Sequence, residues 1–139
     1  MPCAPTVLST DLRAIQNTVA DPFFDTNILI DWLKDRPQAA AELSRYDRHR
    51  ISRIVWTEIL AGEPPETRPR VQQLISYFEV VEIEARAATA AADIRNRTKI
   101  KLLDALVLAT AQVHGAILVT RNTKDFPASM PGVRIPYTL

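Results

Sequence analysis

Phe23-Phe24-Asp25-Thr26-Asn27-Ile28-Leu29-Ile30 is the stretch on which the fold turns. Two aromatics suited to a buried strand run into an acid, then two short polar residues of the kind that start helices, then an apolar helical run. An acid at such a strand-to-helix corner sits at the carboxyl end of a central strand, where open α/β sheets place their ligands. Asp and Asn also cap helices for structural reasons alone, so the rest of the chain decides between the two readings.

Outward from this corner, strand and helix patterns alternate. Pro22 marks the start of the first strand, where proline is tolerated. Residues 28–34 are expected as the first helix, ended by Arg36-Pro37 because the residue before proline avoids helical angles. Pro37 opens a second helix to about residue 46. The basic run 45–53 carries four Arg and one His against one Asp, and its later part reads as a strand through Val55. Helices follow at 57–62 and 68–78, the second from the spacing of Val71, Leu74, Ile75 and Phe78. Val80-Val81-Glu82-Ile83 is a β-branched strand candidate. Residues 85–97 form an Ala-rich helix and 102–114 another, closed by Gly115. Ala116-Ile117-Leu118-Val119 is wholly apolar, as a buried parallel strand should be. Residues 120–126 make a polar corner and 133–135 a last short strand. The alternation predicts an α/β fold: a three-layer α/β/α sandwich around a short parallel sheet.

Ahead of the corner, residues 1–20 read as an N-terminal extension, with Leu8, Leu12, Ile15 and Val19 on one face of a short helix. Residues 21–139 read as a single domain, a length sufficient for its own core. Apolar residues make up 47% and charged ones 24%, which is the composition of a globular chain. The net charge of +1 gives no average signal for nucleic acid, so any such contact has to come from local clusters. One cysteine, Cys3, and two histidines, His49 and His114, leave little for a thiolate or imidazole metal site. The lone cysteine, the absence of an 18-residue apolar run and the lack of a secretory leader pattern predict a cytoplasmic chain with no membrane span.

The chemistry is sought among carboxylates beside strand ends and helix starts. Asp25 follows the first strand, Glu58 begins the helix after the basic strand, Asp104 lies in the first turn of the last long helix, and Asp125 lies in the corner after the most apolar strand. Corners after parallel strands gather on one sheet edge, so Asp25, Glu58 and Asp125 can converge there, and a helix aimed back at that edge adds Asp104. Carboxylates gathered in one pocket raise one another's pKa unless cations are present. Oxygen-only ligation suits Mg²⁺ or Mn²⁺. Such an ion would activate water for phosphodiester hydrolysis, with Asn27, Thr120 and Asn122 orienting water or phosphate. Each acid also has a structural reading: Asp104 and Glu58 as complements to a helix dipole, Asp125 as a turn residue. Asp31 and Asp93 read as surface or ion-pair residues, His114 as a helix-end residue, and Trp32 and Trp56 as core or interface.

FFDTNILIDWL, ISRIVWTEILAG and KLLDALVLATAQVHGAILVTRNTKDF together resemble the PIN domain family, in particular its VapC-like toxins of bacterial toxin–antitoxin pairs. The resemblance runs from about Phe23 to the C-terminus, and its last block is the most specific part. It implies a metal-dependent ribonuclease in which Asp25, Glu58, Asp104 and Asp125 are catalytic and bind Mg²⁺ or Mn²⁺. It also implies a homodimer, and inhibition by a VapB-like antitoxin. The chain departs from the family in the extension 1–20 and in Asp21-Pro22, which bears on the length of the first strand but not on Asp25.

In a ribonuclease, Arg95, Arg97, Lys99 and Lys101, and the run 45–53, would contact the RNA backbone. A non-catalytic PIN-like module binding RNA or protein is the alternative, and the presence of all four acids argues against it. An aspartyl-phosphate phosphatase or receiver is weaker still, because Asn27 stands where its second acid belongs.

Overall fold

The aromatic pair Phe23 and Phe24 is 1% and 0% exposed, and burial of side chains this size is worth about 2–3 kcal/mol each. Strand β1 (Phe23–Phe24) is flanked on both sides, pairing in parallel with β2 (Arg50–Ser52) and with β4 (Leu118–Val119). Strands β3 (Glu79–Val81) and β5 (Val133–Arg134) complete a five-stranded parallel sheet in the order β3-β2-β1-β4-β5. The computed structural model describes residues 21–127 and 129–139. The expected extension and short helix at 1–20 lie outside the described residues.

This strand order explains the layers. The chain steps one way from β1 to β2 to β3, through helices α1 (Thr26–Leu33), α2 (Pro37–Leu43), α3 (Arg53–Ala61) and α4 (Arg68–Ile75). It then reverses, crossing through α5 (Ala85–Arg97) and α6 (Leu102–Val113) to reach β4 on the far side of β1. Right-handed crossovers in opposite directions put α1–α4 on one face and α5–α6 on the other. Accordingly α1 packs on α2 and α3, while α5 and α6 pack together and α6 reaches β2 and β4. The expected three-layer architecture is present. The strand order reverses between β1 and β4, and that crevice at the carboxyl ends of the strands is where such sheets bind ligands.

Several boundaries differ from expectation, each for a local reason. β2 ends at Ser52 rather than running through Val55, and α3 starts four residues earlier than 57. Ser52 is the cause: its hydroxyl accepts the backbone N–H of Val55 at 3.2 Å and caps the helix. Glu58 therefore sits in the second turn of α3, not the first. The helices expected to reach residues 46 and 78 stop at Leu43 and Ile75. At the end of α6, Gly115 takes φ +65°, and the N–H of Ala116 returns to the carbonyl of Ala111 at 3.0 Å, closing the helix as a glycine terminus does.

The basic run 45–53 is mostly absorbed by the fold. Arg45 pairs with Glu42, Arg48 with Glu79 and Arg53 with Glu82. Arg50 is 8% exposed, donates to the Asp21 carbonyl and lies over the Phe23 ring with its guanidinium 4.6 Å from the centroid. Arg48 and Arg50 stand at the amino ends of the strands, on the edge opposite Asp25. Arg50 is thereby held inside the fold, against β1.

Candidate active site

Asp25 is buried, 5% exposed, and caps α1 by accepting the N–H of Thr26 on Oδ1 at 2.8 Å. Its other oxygen, Oδ2, accepts the Thr120 hydroxyl at 2.7 Å and the Asn27 amide at 3.4 Å. Thr120 follows β4, so this bond ties the two strand ends together across the crevice. Asn27 adds two more ties: its Nδ2 donates to Thr120 Oγ1 at 3.2 Å, and its Oδ1 accepts the N–H of Arg121 at 2.9 Å. Asp25 is thus immobilised by Asn27 and Thr120, two of the three residues expected to orient water or phosphate, which here bond the carboxylate itself.

The third, Asn122, acts on a different acid. Its amide donates to Asp125 Oδ2 at 2.9 Å, while the Asp125 N–H donates back to Asn122 Oδ1 at 3.2 Å. Phe126, 0% exposed, anchors this corner in the core. Glu58 is exposed on α3, where Thr26 donates its hydroxyl to Oε1 at 2.7 Å. Asp104 lies in the first turn of α6, within charge range of the other three acids.

The four acids are coupled through their charges. Burial, then the charges of Asp25, Asp125 and Glu58, push Asp104 from 3.8 up to about 6, against a small opposing pull from Lys101. Asp25 is raised too, chiefly by burial, with Glu58 adding to it and the bonds from Thr120, Thr26 and Asn27 pulling the other way. Among the described residues no three acids or histidines converge closely enough to clasp one ion by themselves. The donor set still fits Mg²⁺, which prefers oxygen, retains several of its waters and takes only one or two carboxylates directly. Both histidines lie elsewhere: His49 reaches the Leu43 carbonyl and His114 packs edge-on against Phe23.

A carboxyl raised in the folded state costs stability once it ionises. Between pH 3.8 and about 6 the folded chain holds a proton on Asp104 that the unfolded chain has lost, so metal-free stability falls as pH rises through that window. A shift of this size is worth about 3 kcal/mol unscreened and about 1–2 kcal/mol after solvent screening. In EDTA at pH 7.5, Asp104→Asn is therefore expected to melt several degrees above the parent, with the gap closing near pH 4. Equal melting temperatures at both pH values would show that Asp104 is not held against its neighbours' charge.

Two contacts of Asp31 were not legible, although its reading as an ion-pair residue holds. Asp31, read as a surface or ion-pair residue, is 3% exposed and takes both Nε of Arg121 at 2.8 Å and an Nη at 3.1 Å. Tyr137, from the C-terminal tail, donates its hydroxyl to Asp31 Oδ2 at 2.8 Å, and burial with this bond raises the phenol. The one available signal was an acid three residues after Ile28, on the buried side of α1. Of the basic residues expected at RNA, Arg95 and Arg97 are exposed on the last turn of α5, and Lys99 and Lys101 are exposed on the α5–α6 link.

Fold and site together define a three-layer α/β protein with a carboxylate-lined crevice at the switch point of its sheet. More particularly, the chain belongs to the PIN domain family, whose model matches residues 23–128. It is 26% identical to the tRNA(fMet)-specific endonuclease VapC of Shigella flexneri, over 73% of this chain and 86% of that protein. Among solved structures it is similar to a toxin–antitoxin complex from Klebsiella pneumoniae, with a TM-score of 0.79 and 40% identity over 85% of this chain and 99% of the other. It is also similar to DNA-bound VapBC from Salmonella typhimurium, with a TM-score of 0.70 and 27% identity over 82% and 95%. Among the described residues no helix is long and apolar enough to cross a membrane.

Proposed function

We propose that this chain is a divalent-metal-dependent endoribonuclease, the toxin of a toxin–antitoxin pair, neutralised by a VapB-like antitoxin and acting in the cytoplasm. The observation that carries the reading is the gathering of Asp25, Glu58, Asp104 and Asp125 at the switch point, where burial and then the charges of the other three acids lift Asp104 to about 6. A fold keeps such a repulsion when a cation relieves it in the working state. The named relatives support the same reading, since one is an endonuclease and others are toxin–antitoxin assemblies.

When bound, Mg²⁺ or Mn²⁺ supplies the Lewis acidity that lowers the pKa of a water and offsets charge on the phosphate. The chain supplies position. Asp25 is held by Thr120 and Asn27, Asp125 by Asn122 and Glu58 by Thr26, so each acid presents a fixed oxygen without rearrangement. Asp104, partly protonated near pH 6, ionises fully above it.

Beside Glu58 a groove of about 520 Å³ runs between α1, α3 and α4, with Ile30, Leu33, Ile59, Val71 and Leu74 along it. Ile30 and Leu74 are 38% and 41% exposed, an unusual surface for residues of this kind. We assign it to an apolar segment of the antitoxin; homodimerisation belongs to the same proposal. Purified chain should cleave RNA with Mg²⁺ and stop in EDTA. Leu74→Asp should keep that cleavage yet need at least about 10-fold more antitoxin for inhibition, since a charge buried unpaired in an apolar contact costs at least about 1.4 kcal/mol. Unaltered inhibition of Leu74→Asp would remove the antitoxin from this groove, and absence of metal-dependent cleavage would remove the ribonuclease reading.

A further inference from the structure

The α5–α6 link borders the acid edge and forms one wall of a second depression, about 240 Å³ in volume. Lys99 and Ile100 come from the link; Lys124, Asp125, Pro127 and Met130 come from the segment after β4. Asp125 is shared, so the depression opens directly beside the acid crevice. Its apolar side is set in advance. Thr98 donates its hydroxyl to the Ile94 carbonyl at 2.7 Å and accepts the N–H of Ile100 at 3.2 Å, which fixes the link with Ile100 only 6% exposed. Opposite, the N–H of Met130 closes a turn onto the Pro127 carbonyl at 2.8 Å.

The lysines are placed differently from the other basic residues of the cluster. Lys99 and Lys124 are exposed at the rim of the depression, and among the described residues neither forms an ion pair. An apolar, sulfur-containing wall with two unpaired lysines at the rim and Asp125 on the crevice side matches one nucleotide: a flat heterocycle against thioether and aliphatic groups, with phosphates at the ammonium groups. The volume is below the roughly 300–1,000 Å³ of pockets that enclose drug-sized ligands, which limits the occupant to about one base.

Resting on the ribonuclease reading, we propose that this depression is a nucleobase subsite for the substrate strand. It seats one base between Ile100, Pro127 and Met130, with Lys99 and Lys124 against the adjoining backbone phosphates. Arg95 and Arg97 have no part in it.

The test uses the full chain in EDTA with its methionines ¹³C-methyl labelled, the Met130 signal being assigned with Met130→Leu. Each of the four 5′-ribonucleoside monophosphates, and inorganic phosphate at matched ionic strength, is titrated in. A saturable Met130 shift with at least one mononucleotide and none with phosphate is the expected result. In cleavage assays, Lys99→Ser with Lys124→Ser should raise KM by about 3- to 10-fold, as for two lost phosphate contacts, with kcat within about two-fold of the parent. No saturable Met130 shift with any mononucleotide, or an equal shift with phosphate, overturns the subsite. The two readings fail separately. Metal-supported cleavage without the Met130 response removes the subsite alone, while the Met130 response without cleavage removes the ribonuclease and leaves a nucleotide site.

Discussion

Asp104→Asn is expected to lower Mg²⁺-supported RNA cleavage by about 10³-fold or more, with circular dichroism unchanged and no recovery at saturating Mg²⁺. The substitution removes a negative charge from the point where those of Asp25, Asp125 and Glu58 converge, and it leaves the shape of the side chain nearly intact. Asp25→Asn should lose activity to a similar degree. At that position Asn is also the informative replacement, because it caps a helix about as well as Asp and so preserves the start of α1. An Asn oxygen can serve the cap but not the Thr120 hydroxyl as well, so the strand ends remain joined there only through Asn27, which bonds both Thr120 and the N–H of Arg121, while the anionic ligand is gone. The two variants differ in stability, and that separates chemistry from folding. Asp104→Asn loses activity while melting higher in EDTA at neutral pH, a combination that structural damage does not produce. Full cleavage by either variant would remove these acids from the metal site.

The part of this site that was legible in the sequence is the part governed by neighbours along the chain. Phe23-Phe24-Asp25-Thr26 is a strand, an acid and a helix start in consecutive residues, and each step has a local cause. The bounds of α5 at Ala85 and Arg97 were equally readable, since an alanine-rich run flanked by a charged stretch needs no tertiary help to be recognised. β2 was harder. Ile-Ser-Arg-Ile-Val looks like strand alternation, and only the turn of the Ser52 hydroxyl back onto Val55 converts its second half to helix. The error displaced Glu58 by a turn without removing it from the edge.

Charge was the poorest guide. The four Arg of residues 45–53 and the cluster 95–101 look alike as composition. Partners separate them: the first is spent on Glu42, Glu79, Glu82 and the Asp21 carbonyl, with Arg48 and Arg50 where strands begin and Arg53 just after β2 ends, whereas the second lies beside the carboxyl edge with none of those partners. Apart from Arg45, whose partner Glu42 is three residues away, nothing in local sequence distinguishes an arginine of this run that will be paired from one that will not, because its partner is set by topology. Asp31 shows this most clearly, since its partners lie 90 and 106 residues further along the chain.

Arg121→Ala is expected to destabilise the fold by about 3 kcal/mol and lower the melting temperature by about 10 °C, because removing one partner of a buried ion pair leaves the other charge without compensation. Asp31 is 3% exposed and receives two of its three hydrogen bonds from the Arg121 guanidinium, so Tyr137 alone would remain to support an ionised carboxylate. The Arg121 side chain is itself 30% exposed, which places the loss toward the lower end of the range for fully buried pairs. A double-mutant cycle with Asp31→Asn isolates the interaction, and a coupling of about 2 kcal/mol or more is expected. The same pair fastens the corner after β4 onto α1, next to the N–H of Arg121 that meets Asn27. Loosening it should therefore raise the Mg²⁺ concentration needed for half-maximal cleavage several-fold at a temperature where the variant is still folded. Loss of stability without that change would make the pair a fold anchor only. A variant within about 0.5 kcal/mol of the parent would mean that water replaces the guanidinium at Asp31 and that the corner is held by the Thr120 and Asn27 bonds alone.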